Sequence, residues 1–146
     1  MLREILNRNL VQVGPSTSLT EAAALMAKHD VGALVVIRDE KPIGIVTDRD
    51  IVVRCVAQHR EAAKCKVEEV MTASIATCRE TDGIFDCIQK MRQSRVRRMP
   101  VVDSEDRAVG IISFGDLLAV LSKELGDLTS STTPSENIAQ LGEFAA

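Results

Sequence analysis

Gly44-Ile45-Val46-Thr47-Asp48-Arg49-Asp50-Ile51 and, 66 positions later, Gly110-Ile111-Ile112-Ser113-Phe114-Gly115-Asp116-Leu117 follow one pattern. Each reads glycine, two aliphatics, a hydroxyl residue, two variable positions, an aspartate and an aliphatic. The spacing is close to half of the 146-residue chain, so the stretch marks a repeated unit, and the repeat decides the fold before any single element does. Outward from it, Val35-Val36 matches Val101-Val102 at the same spacing. Further upstream the spacing becomes 65: Met26 pairs with Met91, Val31 with Val96, and Leu2-Arg3-Glu4-Ile5-Leu6 with Val67-Glu68-Glu69-Val70-Met71. The second copy therefore gains one residue, which this alignment places between Val96 and Val101.

Each copy parses into the same elements. Leu10–Val13 is extended and stopped by Gly14-Pro15. Ser18 with Glu21 forms a capping box ahead of the stripe Leu19, Ala22, Ala23, Met26. Ala33–Ile37 and Ile43–Val46 read as strands, and a helix begins at Asp48. In the second copy Ile75–Cys78 is extended, Thr81 to Gln93 helical, Met99–Val102 and Val109–Ser113 strands, and Gly115 to Leu125 the closing helix. The order β-α-β-β-α occurs twice, which gives an α/β (α+β) class with sheets covered by helices. The repeats occupy residues 1–60 and 67–125, joined by 61–66 and followed by a polar tail, 126–146. Units of about 60 residues are marginal alone, so the two halves are expected to share one core. Within the tail, Gly126–Glu136 reads as a linker by composition, and Asn137–Phe144 reads either as a short amphipathic turn or as a frayed terminus.

Composition excludes several functions. A net charge of −3 argues against general attraction to nucleic acid or an anionic membrane. Three Phe with no Trp or Tyr leave no stacking platform for single strands. No apolar run approaches the roughly 20 residues that span a bilayer, and the N-terminus lacks a signal-peptide pattern, so a cytoplasmic protein is expected. The four cysteines, Cys55, Cys65, Cys78 and Cys87, contain no Cys-x-x-Cys pair and read as small buried hydrophobes. No metal site, Walker A or Gly-x-Ser-x-Gly pattern is visible, which argues against an enzyme.

With Gly44–Thr47 and Asp50, Gly110–Ser113 and Asp116, Met99-Pro100-Val101-Val102-Asp103 and Val70-Met71-Thr72, the chain resembles a tandem pair of cystathionine β-synthase (CBS) domains, a Bateman module, over residues 2 to 125. The resemblance implies two repeats packed about a pseudo-twofold axis through their sheets. It also implies a regulatory sensor whose clefts take AMP, ADP, ATP or S-adenosylmethionine, with no cofactor required, no catalytic residue, a homodimer and a regulated protein partner.

Carried over by position, the first cleft would use Thr47 near a phosphate and Asp50 on the ribose, with Val11, Val13, Ala33 and Leu34 around the base. The second would use Ser113 and Asp116 with Ala76, Thr77, Met99 and Pro100. Carboxylates suit ribose hydroxyls, and helix N-termini suit phosphate. Arg97 or Arg98, in Arg95-Val96-Arg97-Arg98, is a candidate phosphate contact of the second cleft, which is then expected to hold a phosphorylated nucleotide more tightly; the same run also fits as a solvated basic loop. Two other readings stand beside these. Thr47 and Ser113 also fit as N-caps, with Asp50 and Asp116 as first-turn carboxylates, and the module also fits as a structural or interaction unit with empty clefts.

Overall fold

The computed structural model describes residues 1–6, 8 and 10–131. They fall into two compact units, residues 1–114 and a segment beginning at Gly115. In the first unit, β1 (Gln12–Val13), α1 (Leu19–His29), β2 (Ala33–Arg38), β3 (Lys41–Thr47) and α2 (Asp48–Arg54) form the first repeat. β4 (Thr72–Ala73) precedes β5 (Cys78–Arg79), α3 (Ile84–Ser94), β6 (Arg98–Val102) and β7 (Ala108–Ser113). α4 (Phe114–Ser131) begins with the last residue of the first unit and supplies the described part of the second. The strands make two sheets, ordered β1-β2-β3-β4 and β5-β6-β7. In each, the first strand is parallel to the second and the next is antiparallel, which is the mixed α/β architecture that the repeat predicts.

Local chemistry explains the boundaries. Ser18 Oγ accepts from Glu21 N at 3.2 Å and Ser18 N donates to Glu21 Oε2 at 3.1 Å, so the predicted capping box starts α1. α1 and α3 end on left-handed residues at equivalent positions, Asp30 (φ 51°) and Arg95 (φ 53°). α3 starts at Ile84 rather than Thr81, because the Asp82 carboxylate is turned back to accept from Arg79 N at 2.9 Å. α4 runs on to Ser131, through residues that composition assigns to a linker; Thr129, Ser130 and Ser131 each return their hydroxyl to the carbonyl three residues earlier, which keeps them within the helix. The rest of that stretch and the Asn137–Phe144 segment lie outside the described residues.

The pairing register relocates the extra residue of the second repeat. Val36 faces Gly44 and Val101 faces Gly110, so β6 keeps the spacing of 65 and only β7 shifts to 66. The insertion is in the β6–β7 turn, not between Val96 and Val101. The β2–β3 hairpin turns on two left-handed residues, Asp39 and Glu40. The β6–β7 turn is longer and is held by Asp103 Oδ1, which accepts from Glu105 N at 2.9 Å and Arg107 N at 3.0 Å. A turn absorbs length, whereas one residue inside β6 would flip every side chain to the other face.

The halves are joined by a reciprocal exchange. Leu2 N donates to Asp82 O and Arg3 N to Glu80 O, both at 3.0 Å; with donor and acceptor each moved by 65 positions, Val67 N donates to Thr17 O at 2.9 Å and Glu68 N to Pro15 O at 3.0 Å. The lead-in to each repeat is thus docked on the other, the backbone signature of a pseudo-twofold pair. The buried cluster Leu19, Met26, Leu34, Val46 and Ile51 accordingly includes Val67 and Val70 from the second repeat's lead-in. The core is shared, as the size of each repeat requires.

Candidate functional site

The first strand-to-helix junction is a closed capping box. Thr47 Oγ1 accepts from Asp50 N at 3.1 Å, and Thr47 N donates to Asp50 Oδ2 at 2.9 Å. Asp50 Oδ1 lies 3.8 Å from Arg54 Nε, one helical turn on. The cap reading of Thr47 and Asp50 is therefore correct as far as it goes. It does not exhaust the pair, because both residues also line a cavity of about 180 Å³. A carboxylate has about four lone-pair positions, and the box uses one of them.

The other walls come from the second repeat. Gly44 allows this: a Cβ there would lie 2.8 Å from Thr72 O and 2.7 Å from Met71 Sδ, so only glycine admits β4 beside β3 at this distance. β4 pairs Thr72 with Ile45 and delivers Thr72, Ile75 and Ala76 to the cavity edge. Arg97 and Arg98 complete it. Arg97 O accepts from Phe114 N at 2.8 Å, the counterpart of Gly32 O accepting from Asp48 N at 3.1 Å, and this bond fixes the backbone that carries the arginines.

Their charge is unspent. Arg8, Arg38, Arg54, Arg60, Arg79 and Arg107 each face a carboxylate. Arg97 and Arg98, both exposed, make no ion pair or side-chain hydrogen bond among the described residues. Two uncommitted guanidinium groups on a cavity that also holds a threonine and a carboxylate form a polar set able to receive an anion at one end and hydroxyl groups at the other.

The sequence partition of the clefts is corrected here. Arg97, Arg98 and Ala76, assigned to the cleft of Ser113 and Asp116, line the cavity of Thr47 and Asp50 instead. The reason is the crossed arrangement of the repeats, which puts the lead-in and helix end of one beside the junction of the other. The remaining candidates divide by burial. Leu34 and Met99 are wholly buried, Val13 is 6% exposed, and Pro100 is buried, so these side chains serve the core. Val11 packs against the core cluster, while Ala33 and Thr77 are half-buried and do not line this cavity. Ser113 ends β7, where its Cα pairs with that of Arg98. Asp116 stands exposed in the first turn of α4.

Four cavity residues, Ile45, Thr72, Ile75 and Val96, escape the assignment of site residues from sequence. Ile45 carried a signal, since it shares the strand face of Thr47 by alternation. Val96 and Ile75 carried none, because only the crossing of the repeats brings them together.

A family model for the CBS domain matches residues 2–56 and again 67–123. The chain belongs to the CBS domain family. Among curated relatives, CBS domain-containing protein YhcV of Bacillus subtilis is 35% identical over 116 residues, covering 80% of this chain and 81% of the relative. Hypoxic response protein 1 of Mycobacterium tuberculosis is likewise 35% identical over 116 residues, covering 79% and 80%. Among solved structures, the CBS domain pair of protein MJ0100, in complex with 5′-methylthioadenosine and S-adenosyl-L-methionine, superposes with a TM-score of 0.75 at 27% identity, covering 85% of this chain and 97% of that one. The CBS fold thus accounts for both halves. Among the described residues no helix is long and apolar enough to cross a membrane, and no group of three or more His, Cys, Asp and Glu is placed to hold a metal ion.

Proposed function

We propose that this CBS pair is a regulatory sensor for an adenosyl ligand bearing an anionic group, with AMP as the simplest member and ADP, ATP and S-adenosylmethionine as competitors. The single observation that carries the reading is the cavity that sets unpaired Arg97 and Arg98 in one lining with Thr47 and Asp50. In this reading Asp50 keeps its bond to Thr47 N and accepts ribose hydroxyls with its remaining lone pairs. Arg97 and Arg98 meet the phosphate, Ile45 and Ile75 supply apolar wall, and Ala76 leaves room beside them. The adenosyl complex of MJ0100 supports the ligand class. Ser113, with Ala33, Val11 and the backbone of Leu34 or Met99, belongs to a second and weaker site. The protein needs no cofactor, performs no catalysis and acts in the cytoplasm by changing how a protein partner reads its surface, which requires the ligand to prefer one of two states.

Calorimetric titration of the full chain with AMP, ATP, S-adenosylmethionine and adenosine tests the proposal. AMP is expected to bind and to raise the melting temperature, by about 2.7 kcal/mol of stabilisation at a hundredfold excess over Kd. No heat and no melting shift with any of the four ligands would reject it. That outcome would favour the second reading, an interaction module, for which the exposed Val52, Val53 and Val56, and separately Leu118, Leu125 and Leu128 on α4, supply apolar surface suited to a homodimer.

A further inference from the structure

All four cysteines are free and buried, and Cys78 and Cys87 are in contact. Their sulfurs lie 2.9 Å apart, and Cys78 Sγ is 3.2 Å from Met99 Sδ. Cys78 belongs to β5 and Cys87 to α3, so the contact bridges the edge of the second sheet and the helix that covers it. A disulfide has an S–S length of about 2.05 Å, and the two sulfurs need approach by less than about 1 Å to reach it. Trigonal or linear binding of a soft metal would push them apart instead. The site is closed but not locked: β5 is a two-residue strand at the edge of its sheet, the kind of element that opens locally well below the cost of global unfolding. Cys78 S–H donates to the Cys87 sulfur, which holds the Cys87 thiol below its ordinary range while Cys78 is pushed up, so Cys87 is the nucleophile of the pair.

We propose that Cys78 and Cys87 are a redox-sensitive dithiol, oxidised by hydrogen peroxide to an intramolecular disulfide that ties β5 to α3 and thereby alters the neighbouring cavity wall. The Cys87 thiolate attacks one peroxide oxygen and the O–O bond breaks; the departing hydroxide takes the proton that Cys87 gave up, leaving as water, and Cys87 becomes a sulfenic acid. Cys78 sulfur then attacks Cys87 sulfur. The S–S bond forms as the S–O bond breaks, and the oxygen leaves as a second water with the Cys78 proton. Two electrons pass from the thiols to the peroxide. The mechanical consequence follows from sequence adjacency: Ile75 and Ala76, two positions or so before β5, line the cavity of Thr47, Asp50 and Arg97. Drawing β5 toward α3 shifts that wall. This consequence, unlike the disulfide, rests on the ligand reading above.

The test uses the full chain, reduced, freed of reductant and exposed to graded hydrogen peroxide, then alkylated in denaturant and mapped without reduction. The expected result is the loss of two hydrogen masses and a linked peptide pair containing Cys78 and Cys87. The C55S/C65S variant should respond like wild type, and the C78A and C87S variants should yield no link. Four alkylated thiols after peroxide, over-oxidised single cysteines, or a link at Cys55–Cys65 alone would overturn the proposal; the last is a real alternative, since those thiols also neighbour each other. Should C87S fail to fold, the C55S/C65S variant decides by itself, because it holds only the proposed pair. AMP affinity of the oxidised chain is expected to fall about fivefold or more. Equal affinity in both states would sink the coupling, whereas absence of AMP binding to the reduced chain would sink the ligand reading and leave the mapping to judge the disulfide.

Discussion

The two strand-to-helix junctions share one backbone bond and differ in the side chains around it. At the first, Asp48 N donates to Gly32 O, and the absent side chain of Gly32 leaves the Asp48 carboxylate 3.2 Å from where a Cβ would stand. At the second, Phe114 N donates to Arg97 O, and the same two positions carry a cation and an aromatic ring. Duplication has preserved the hydrogen bond that builds the junction and released the residues that decide what meets it. Because the repeats cross, the consequence falls on the opposite repeat: the arginines of the second face the threonine and aspartate of the first. One cavity thereby receives complementary chemistry from two copies of a single motif.

The largest expected effects test whether the repeats are equivalent as cores. Leu34 and Met99 occupy matching positions and are both wholly buried. Leu34→Ala and Met99→Ala are each expected to lower stability by about 2–5 kcal/mol in urea melts. A cost below about 1 kcal/mol for either one would show that only one sheet anchors the shared core. Next comes the seam between the repeats. Gly44→Ala places a methyl against the Thr72 carbonyl and should cost about 1–3 kcal/mol through displacement of β4, with lost AMP affinity as the walls separate; an unchanged melting temperature would mean β4 does not need the close approach.

Charge comes third. Arg97→Ala and Arg98→Ala should each weaken AMP binding about tenfold, the scale of one charge-assisted bond, while adenosine affinity changes less than about twofold. Equal losses for both ligands would break the phosphate assignment and with it the asymmetry between the junctions. Thr47→Ala should cost about 1 kcal/mol of stability as a lost cap, recovered by Thr47→Ser; a fall in AMP affinity that serine also restores would show the hydroxyl serving both helix and ligand.

The smallest effect distinguishes the repeats by acid. In the second, burial works against Asp82, but the Lys90 ammonium at 2.6 Å and Arg79 N outweigh it and hold its carboxyl below the usual 3.8. Asp103, half-buried, is also opposed by desolvation and is likewise held low, by bonds from Arg107. A depressed folded-state pKa contributes stability that is fully present above about 3.8 and is lost as pH falls through the lower folded value. The positions matching Asp82 and Lys90 in the first repeat are Thr17 and Leu25, which cannot titrate. Asp82→Asn should therefore flatten the dependence of the urea midpoint on pH below 4, and a parallel curve for the variant would refute the assignment.

Much of this was legible in advance because it is local. The Ser18–Glu21 box, the strand alternation and the helix starts depend on residues a few positions apart, and the repeat made each reading twice over. What was misplaced depended on pairing. The extra residue of the second copy cannot be positioned by matching valines, since Val101 and Val102 both resemble Val35 and Val36 until Val101 is seen opposite Gly110. Arg97 and Arg98 could be recognised as candidates by type, but not assigned to a cleft, because their partners are some 50 residues away and in the other repeat. The cysteines read correctly as buried, yet no spacing rule could bring Cys78 of a strand against Cys87 of a helix.

By itself, then, the sequence determined the duplication, the order of elements, the CBS family and the residue types available to a ligand, since those follow from periodicity and motif within each copy. Only the tertiary structure decided which copy's residues share a cavity. The reciprocal docking of Leu2 on Asp82 and Val67 on Thr17 is a long-range choice made by burial of a core that neither repeat can close alone.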